Sequence, residues 1–275
     1  MGRPVSGGAF EESAALPHRS VKREEIFVAL RNALESLPPV YSMWEAGAVS
    51  FDRVDRWSDI DVNVDAEDGH AGEVFEAVER TLDALGGIEQ KLIMPFPPDH
   101  AYEQGFYRLV RASRFLMVDL AIFKHSAPDK YLEPSIHGQP RFAFRKPGAG
   151  EAGPFDAAAH RRRMRQRLER LRARVAFFGC FVEKEIQRGN AIEAVSNYQR
   201  LYIDTLTEAL RMKHQPLHFD FGVRYVHYEL PSKVLARLTP LWFVADMDDL
   251  AQKAKRAERW LRTLLDELSA SAGEE

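Results

Sequence analysis

The chain contains a single cysteine, Cys180, in 275 residues. One thiol excludes an internal disulfide framework and fits a reducing compartment. The chain lacks any apolar run near the roughly 18 residues that a membrane-spanning helix needs, and its first residues lack an apolar signal core. A cytoplasmic protein with no membrane attachment is expected. Met1-Gly2-Arg3-Pro4-Val5-Ser6 matches a myristoylation pattern, but a pattern this short recurs by chance and nothing else in the chain points to a lipid anchor. Charge of one sign is also missing. With 38 Lys and Arg against 41 Asp and Glu the net charge is −3, so no global field demands nucleic acid or an anionic membrane. No histidine pair has helical metal spacing: His214 and His218 are four apart, but Pro216 between them breaks the helix. No internal repeat is present.

What remains is ordinary globular composition, 45% hydrophobic and 29% charged, in a chain long enough for one large domain or two ordinary ones. Residues 1–19 have no hydrophobic period and read as a flexible tail. Ile26, Leu30, Leu34 and Leu37 fall at helical spacing and predict a helix over about 21–36, stopped by Pro38-Pro39. A strand from Val40 to about Gly47 follows, then a polar turn over 51–58 and a second strand from Asp59 to Val64. Residues 71–85 suit a helix closed by Gly86-Gly87. Stretches 88–95, 104–111 and 115–123 read as strands. From about 155 the period is helical to the end. The seam is "RKPGAGEAGPFDAAAH" (145–160), with Phe142 and Phe144 just before it and free to pack on either side. The expectation is an α+β fold: a domain over 20–145 with a short mixed sheet, then a helical bundle domain over 155–275.

The stretch "AGAVSFDRVDRWSDIDVNVD" (46–65) carries the chemistry. Asp59 and Asp61 are two apart on a strand, so they share a face about 6.5–7 Å apart. Two carboxylates there repel, and burial raises the cost. A divalent cation removes that cost, because Mg²⁺ prefers carboxylate oxygens and keeps positions open for substrate phosphates. A third acid, Asp119, stands alone in the apolar run "RFLMVDLAIF" (114–123). Its competing reading is pairing with Arg111 or Arg114. For Asp59 and Asp61 the competing reading is a solvated strand face that Asn63 continues. Three such acids have the chemistry to hold two ions for in-line phosphoryl transfer.

"GAVSFDRVDRWSDID" (47–61) resembles the signature of the nucleotidyltransferase superfamily related to DNA polymerase β. That signature is Gly-Ser, a loop of about ten residues, then Asp-x-Asp on a strand. The aminoglycoside and lincosamide nucleotidyltransferases carry a similar loop, matched here by Gly47, Asp55, Ser58, Asp59, Ile60 and Asp61. The resemblance covers about 24–125. It implies an α/β nucleotidyltransferase domain in which Asp59, Asp61 and Asp119 are catalytic and bind Mg²⁺. It further implies a nucleoside triphosphate substrate, with ATP the expected one, held near Gly47, Ala48, Ser50 and Ser58. The reaction implied is transfer of AMP to a hydroxyl of a small molecule such as an aminoglycoside-like antibiotic. The second-domain stretch 219–244 loosely resembles the same enzymes. Two positions depart from the pattern: Ala48 stands where the family has serine, and Asp52 where it has a small mid-loop residue. These departures leave open a nucleotide-binding or regulatory protein with impaired catalysis, and transfer to RNA or protein is also open. The general base is Asp119 or an acid of the second domain, with Glu183, Glu185, Asp204 and Glu229 as candidates.

"HRRRMRQRLERLRARV" (160–175) is the second conspicuous stretch. Over 141–175 there are eleven Arg or Lys and three Asp or Glu, a local charge of +8. Met164, Leu168, Leu171, Val175 and Phe178 form an apolar face at helical spacing. The preferred reading is an amphipathic helix with a solvated basic side. Nucleic-acid contact through 161–174 is the weaker reading, and phosphate binding by one or two arginines a third. Leu250, Ala254, Ala257, Leu261, Leu264 and Leu268 give the last helix a stripe suited to a bundle core, or secondarily to a dimer contact. A monomer or homodimer is expected.

Overall fold

The computed structural model describes residues 20–97, 99–128 and 130–272. The tail 1–19 and its myristoylation pattern lie outside the described residues. The chain divides into two compact units, Met1–Pro154 and Phe155–Glu275.

The first unit is built on a six-stranded mixed sheet. Its strands are β1 (Val40–Glu45), β2 (Ile60–Ala66), β3 (Ile88–Ile93), β4 (Tyr102–Leu109), β5 (Met117–Lys124) and β6 (Arg141–Arg145), in the order β3-β4-β5-β2-β1-β6. Only β2 and β5 pair in parallel; β1–β2, β1–β6, β3–β4 and β4–β5 are antiparallel. Alternation sorts the two faces. Ile60, Val62 and Val64 of β2 and Val118, Leu120 and Ile122 of β5 are buried with helices α1 (Arg23–Glu35) and α2 (Ala71–Gly86), which supply Ile26, Leu30, Leu34, Val74, Val78 and Leu82. Each such side chain contributes about 1.5–3 kcal/mol when fully buried. The other face of β2 and β5 carries Asp61, Asn63, Asp65, Asp119, Ala121 and Phe123.

β6 was not expected as a strand. "RFAFR" alternates, but it precedes a Gly- and Pro-rich seam and is five residues long. Pairing with β1 makes it an edge strand, and Phe144 joins the core while Phe142 lies on the opposite face.

A buried carboxylate ties this unit together. Glu45, at the end of β1, is fully buried and bonded by the guanidinium groups of Arg23 and Arg141. Arg23 also donates to the Asp59 carbonyl at 3.1 Å, fixing the entry into β2.

The second unit is helical: α4 (Ala157–Phe178), α5 (Cys180–Arg188), α6 (Ala191–Asn197), a π-helical stretch (Tyr198–Ile203), α7 (Asp204–His214), α8 (Val226–Glu229), α9 (Ser232–Trp242) and α10 (Met247–Ala272), α3 being a single turn (Pro134–His137) of the first unit. Leu168, Leu171 and Val175 of α4 join Leu206 and Leu210 of α7 and Leu250, Ala257, Leu261 and Leu264 of α10 in one core. Phe178, expected on that face, is instead exposed; it is the last residue of α4, and Gly179 separates it from α5.

Arg211 of α7 is fully buried. It donates to Glu229 and to the carbonyls of Gly222 and Arg224, and His218 bonds the same carboxylate at 3.0 Å. The irregular segment 215–230 is thus pinned by one ion pair. Arg211→Ala leaves the buried Glu229 carboxylate without its guanidinium partner, with His218 still beside it, and is expected to destabilise the protein by about 3–5 kcal/mol. In a thermal melt Arg211→Met combined with Glu229→Gln should recover part of that loss; an equal or larger loss in the double variant would show that packing, not charge, is responsible.

Candidate functional site

The parallel pairing of β2 with β5 puts Asp61 directly opposite Asp119. Successive residues alternate, so Asp59 belongs to the same face, one step before β2 begins. Asp59 reaches across to β5, where its Oδ1 accepts the Met117 N–H at 3.2 Å. Asp119 is bonded by neither Arg111 nor Arg114. Its Oδ1 accepts from the Gln104 side chain of β4 at 2.7 Å. Burial pushes the Asp119 carboxyl up, the Gln104 hydrogen bond opposes the rise, and the nearby charge of Asp59 adds to it. The three acids are therefore gathered on one face. Among the described residues, no group of three or more His, Cys, Asp or Glu side chains is placed so that it could hold a metal ion.

The turn after β1 closes over Asp61. Gly47 has φ +63°, and a Cβ there would lie 1.7 Å from Asp61 Oδ2. The left-handed backbone favours glycine, and a side chain there would force the Asp61 carboxylate to move. A short 3₁₀ turn, Val49–Phe51, follows. The amides of Ser50, Phe51, Asp52 and Arg53 donate within this turn, while the Ala46 amide donates to the Asp61 carbonyl. Asp52 is exposed at φ 53° and caps the turn in the left-handed region. The Ser50 carbonyl accepts from Gln139 N at 2.9 Å, tying the turn to the segment before β6. Asp55 and Ser58 organise the rest of the loop. Asp55 Oδ1 accepts from Trp57 N at 2.8 Å and from the Ser58 hydroxyl at 3.0 Å, and that hydroxyl accepts the Asp55 amide. The Ser58 side chain is thus committed to the loop.

Farther along the same face Asp65 is fully buried. Its carboxylate accepts from Tyr131 Oη at 3.0 Å and bonds His125 Nδ1 at 3.0 Å, with Lys130 Nζ at 3.7 Å and Ser42 Oγ 2.8 Å from the Tyr131 hydroxyl. Burial pushes the Tyr131 phenol up to about 12. These residues escaped sequence reading because 124–145 carries no clear period. The signal that could have found them is Asp65 itself, a fourth aspartate in the same alternation.

The second-domain acids separate. Glu229 is spent on Arg211 and His218. Glu185 bonds Asn190 and Arg188, and Glu183 is exposed. Asp204, pushed up by burial against the lowering effect of Arg174, lines a groove of about 700 Å³ with Arg163, Arg167, Arg170 and Glu208. Of the α4 arginines, Arg167 makes two bonds to Glu208 at 2.6 and 2.9 Å, whereas Arg161, Arg162 and Arg165 are exposed.

No protein-family model and no curated protein matches the chain. Among solved structures, the STING-associated CdnE c-di-GMP synthase from Capnocytophaga granulosa aligns over 90% of this chain and 79% of that chain, at 12% identity and a TM-score of 0.30. A superposition of that quality identifies neither a shared fold nor a shared activity. No described helix is long and apolar enough to cross a membrane.

Two outcomes are expected. Asp119 is raised, so the folded state holds a proton that the unfolded chain has released. Stability is therefore lost as pH rises from the ordinary carboxylate range through the folded pKa. Without divalent cations, Asp119→Asn should be more stable than the natural chain at neutral pH, and the gain should vanish in acid; a gain that is independent of pH would contradict the burial argument. Gly47→Ala should cost more than the roughly 1–2 kcal/mol of a left-handed alanine, because of the contact with Asp61, as read from thermal melts.

Proposed function

We propose that this chain is a nucleotidyltransferase that moves a nucleoside monophosphate, with ATP as donor, to a hydroxyl of a small molecule. One observation carries the reading: Asp61 and Asp119 stand side by side in register, with Asp59 on their face and the Gly47 turn closed over Asp61. An acid pair of this kind is costly unless something cationic shares it. Three carboxylates make a hard, oxygen-only donor set, which suits Mg²⁺. One oxygen each of Asp59 and Asp119 is hydrogen-bonded, and the ion would draw its donors from the carboxylates of Asp59, Asp61 and Asp119. When bound, Mg²⁺ would neutralise the carboxylates and the charge on the triphosphate.

The chain's own residues do the rest. With the amides of Ser50 to Arg53 used inside the turn, a phosphate cradle draws on those of Gly47, Ala48 and Val49. Asp119 is the residue we assign to accept the proton of the acceptor hydroxyl, directly or through a neighbouring water. The acceptor oxygen bonds to the α-phosphorus, the α–β bridging bond breaks, and pyrophosphate leaves.

Mg²⁺ or Mn²⁺ with ATP should raise the melting temperature by mass action. Asp61→Asn should abolish that rise and lower pyrophosphate release by about a hundredfold or more. An unchanged cation response in Asp61→Asn would sink the assignment. Ala48→Ser restores a hydroxyl donor, and a hydrogen bond to a charged group contributes roughly 1.5–3 kcal/mol. Calorimetry should then show ATP binding tightened by about tenfold to a hundredfold; no change would remove the turn from the phosphate site.

A further inference from the structure

A cavity of about 320 Å³ opens on the face that bears the acids, within the first unit. Trp44, Phe123, Tyr131 and Phe142 wall it. The Trp44 ring lies 4.9 Å from that of Tyr131, 5.8 Å from Phe123 and 5.9 Å from Phe142. Arg145 lies over Phe142 at 4.7 Å and over Tyr131 at 6.0 Å. The wall is rigid: Tyr131 is held through its hydroxyl by Asp65 and Ser42. Gly138 (φ +76°) closes one side, where a Cβ would lie 2.2 Å from the Ser50 carbonyl. Asn63 also lines the cavity. It is two residues beyond Asp61 on the same face of β2, a step of about 7 Å.

We infer that this cavity binds the acceptor of the proposed transfer, and that the acceptor carries a planar aromatic ring. The inference rests on the nucleotidyltransferase reading. An aromatic wall around a volume of this size favours a flat ring system. A hydroxyl on the ring or on a short arm then reaches the acids past Asn63, as in-line attack requires. Charge argues against a polycationic amino sugar. Lys130, His137 and Arg145 line the cavity, and its lining carboxylate, Glu151, is highly exposed and 3.8 Å from Arg145.

The test uses the full chain and three probes: 7-hydroxycoumarin as a planar ring hydroxyl, adenosine as a nucleobase, and neomycin as a polycation. Calorimetry should show 7-hydroxycoumarin binding with an affinity unchanged in Asp61→Asn and unchanged by saturating ATP with Mg²⁺. Ala152→Trp, which fills the cavity from its lining, and Phe142→Leu, which removes a wall, should each weaken binding tenfold or more. Melting temperature certifies that each is folded, and either variant alone decides. Failure of 7-hydroxycoumarin to bind, or neomycin binding that these variants abolish, overturns the inference. So does displacement by ATP together with adenosine binding lost in the same variants, which would assign the cavity to the donor base. An ATP and cation response without ring binding defeats this inference alone, whereas ring binding without that response defeats the transfer reading.

Discussion

The parallel pairing of β2 with β5 is the constraint on which the site depends. It sets Asp61 opposite Asp119, and electrostatics penalises that choice. The surrounding chain is arranged to tolerate it. Gln104 donates to Asp119, the Met117 amide donates to Asp59, and Gly47 lets the β1 turn approach Asp61 more closely than any side chain allows. None of these contacts brings a positive charge to the acids. The fully buried Glu45, by contrast, has two arginines. The same unit thus brings two guanidinium groups to one buried carboxylate, while the bonds to Asp59 and Asp119 come from a backbone N–H and a neutral side-chain amide.

That contrast also explains what Arg23 does. It bonds Glu45 on the helix-covered side of the sheet and the Asp59 carbonyl at the entry to β2. The position of the acidic strand is therefore set from the core, through backbone, by an ion pair that does not touch the open face. A buried pair of this kind is poor evidence of stability but good evidence of a fixed geometry. The Arg211–Glu229 pair has the same role in the helical unit, where it holds an irregular segment rather than a strand.

Legibility in the sequence followed periodicity. Alternation in Asp59–Val64 and in 115–123 located β2 and β5, and the same alternation put their acids on one face before any pairing was known. The α+β division followed from the change of period near 155. Periodicity could not supply register: nothing in the sequence says that Asp61 faces Asp119 rather than Ala121. It also failed at β6, where five residues beside a Gly- and Pro-rich seam are too few to show a period. Phe178 misled because the helical spacing runs to the last residue of α4, where the side chain is exposed. Asp55 and Ser58 fit a motif, and the hydrogen bonds between them that brace the loop could not be read from spacing.

The open face of the sheet has two halves, and β2 runs through both. Asp61 and Asp119 face each other near the start of β2 and β5; farther along are Phe123 of β5, Trp44 of β1 and Phe142 of β6, with Tyr131 completing the wall. Asn63 lies between them on the strand. The polar and aromatic halves are separated by one strand repeat, a distance fixed by backbone geometry rather than by side-chain choice. Movement of any loop leaves that spacing unchanged, since both halves are referenced to the same central strand. A ring held in the aromatic half is therefore presented to the acids at a set distance. Under the proposed reading, selection of the acceptor and positioning of its hydroxyl follow from the same strand, and the chemistry of the acids places no limit on which ring the aromatic half admits.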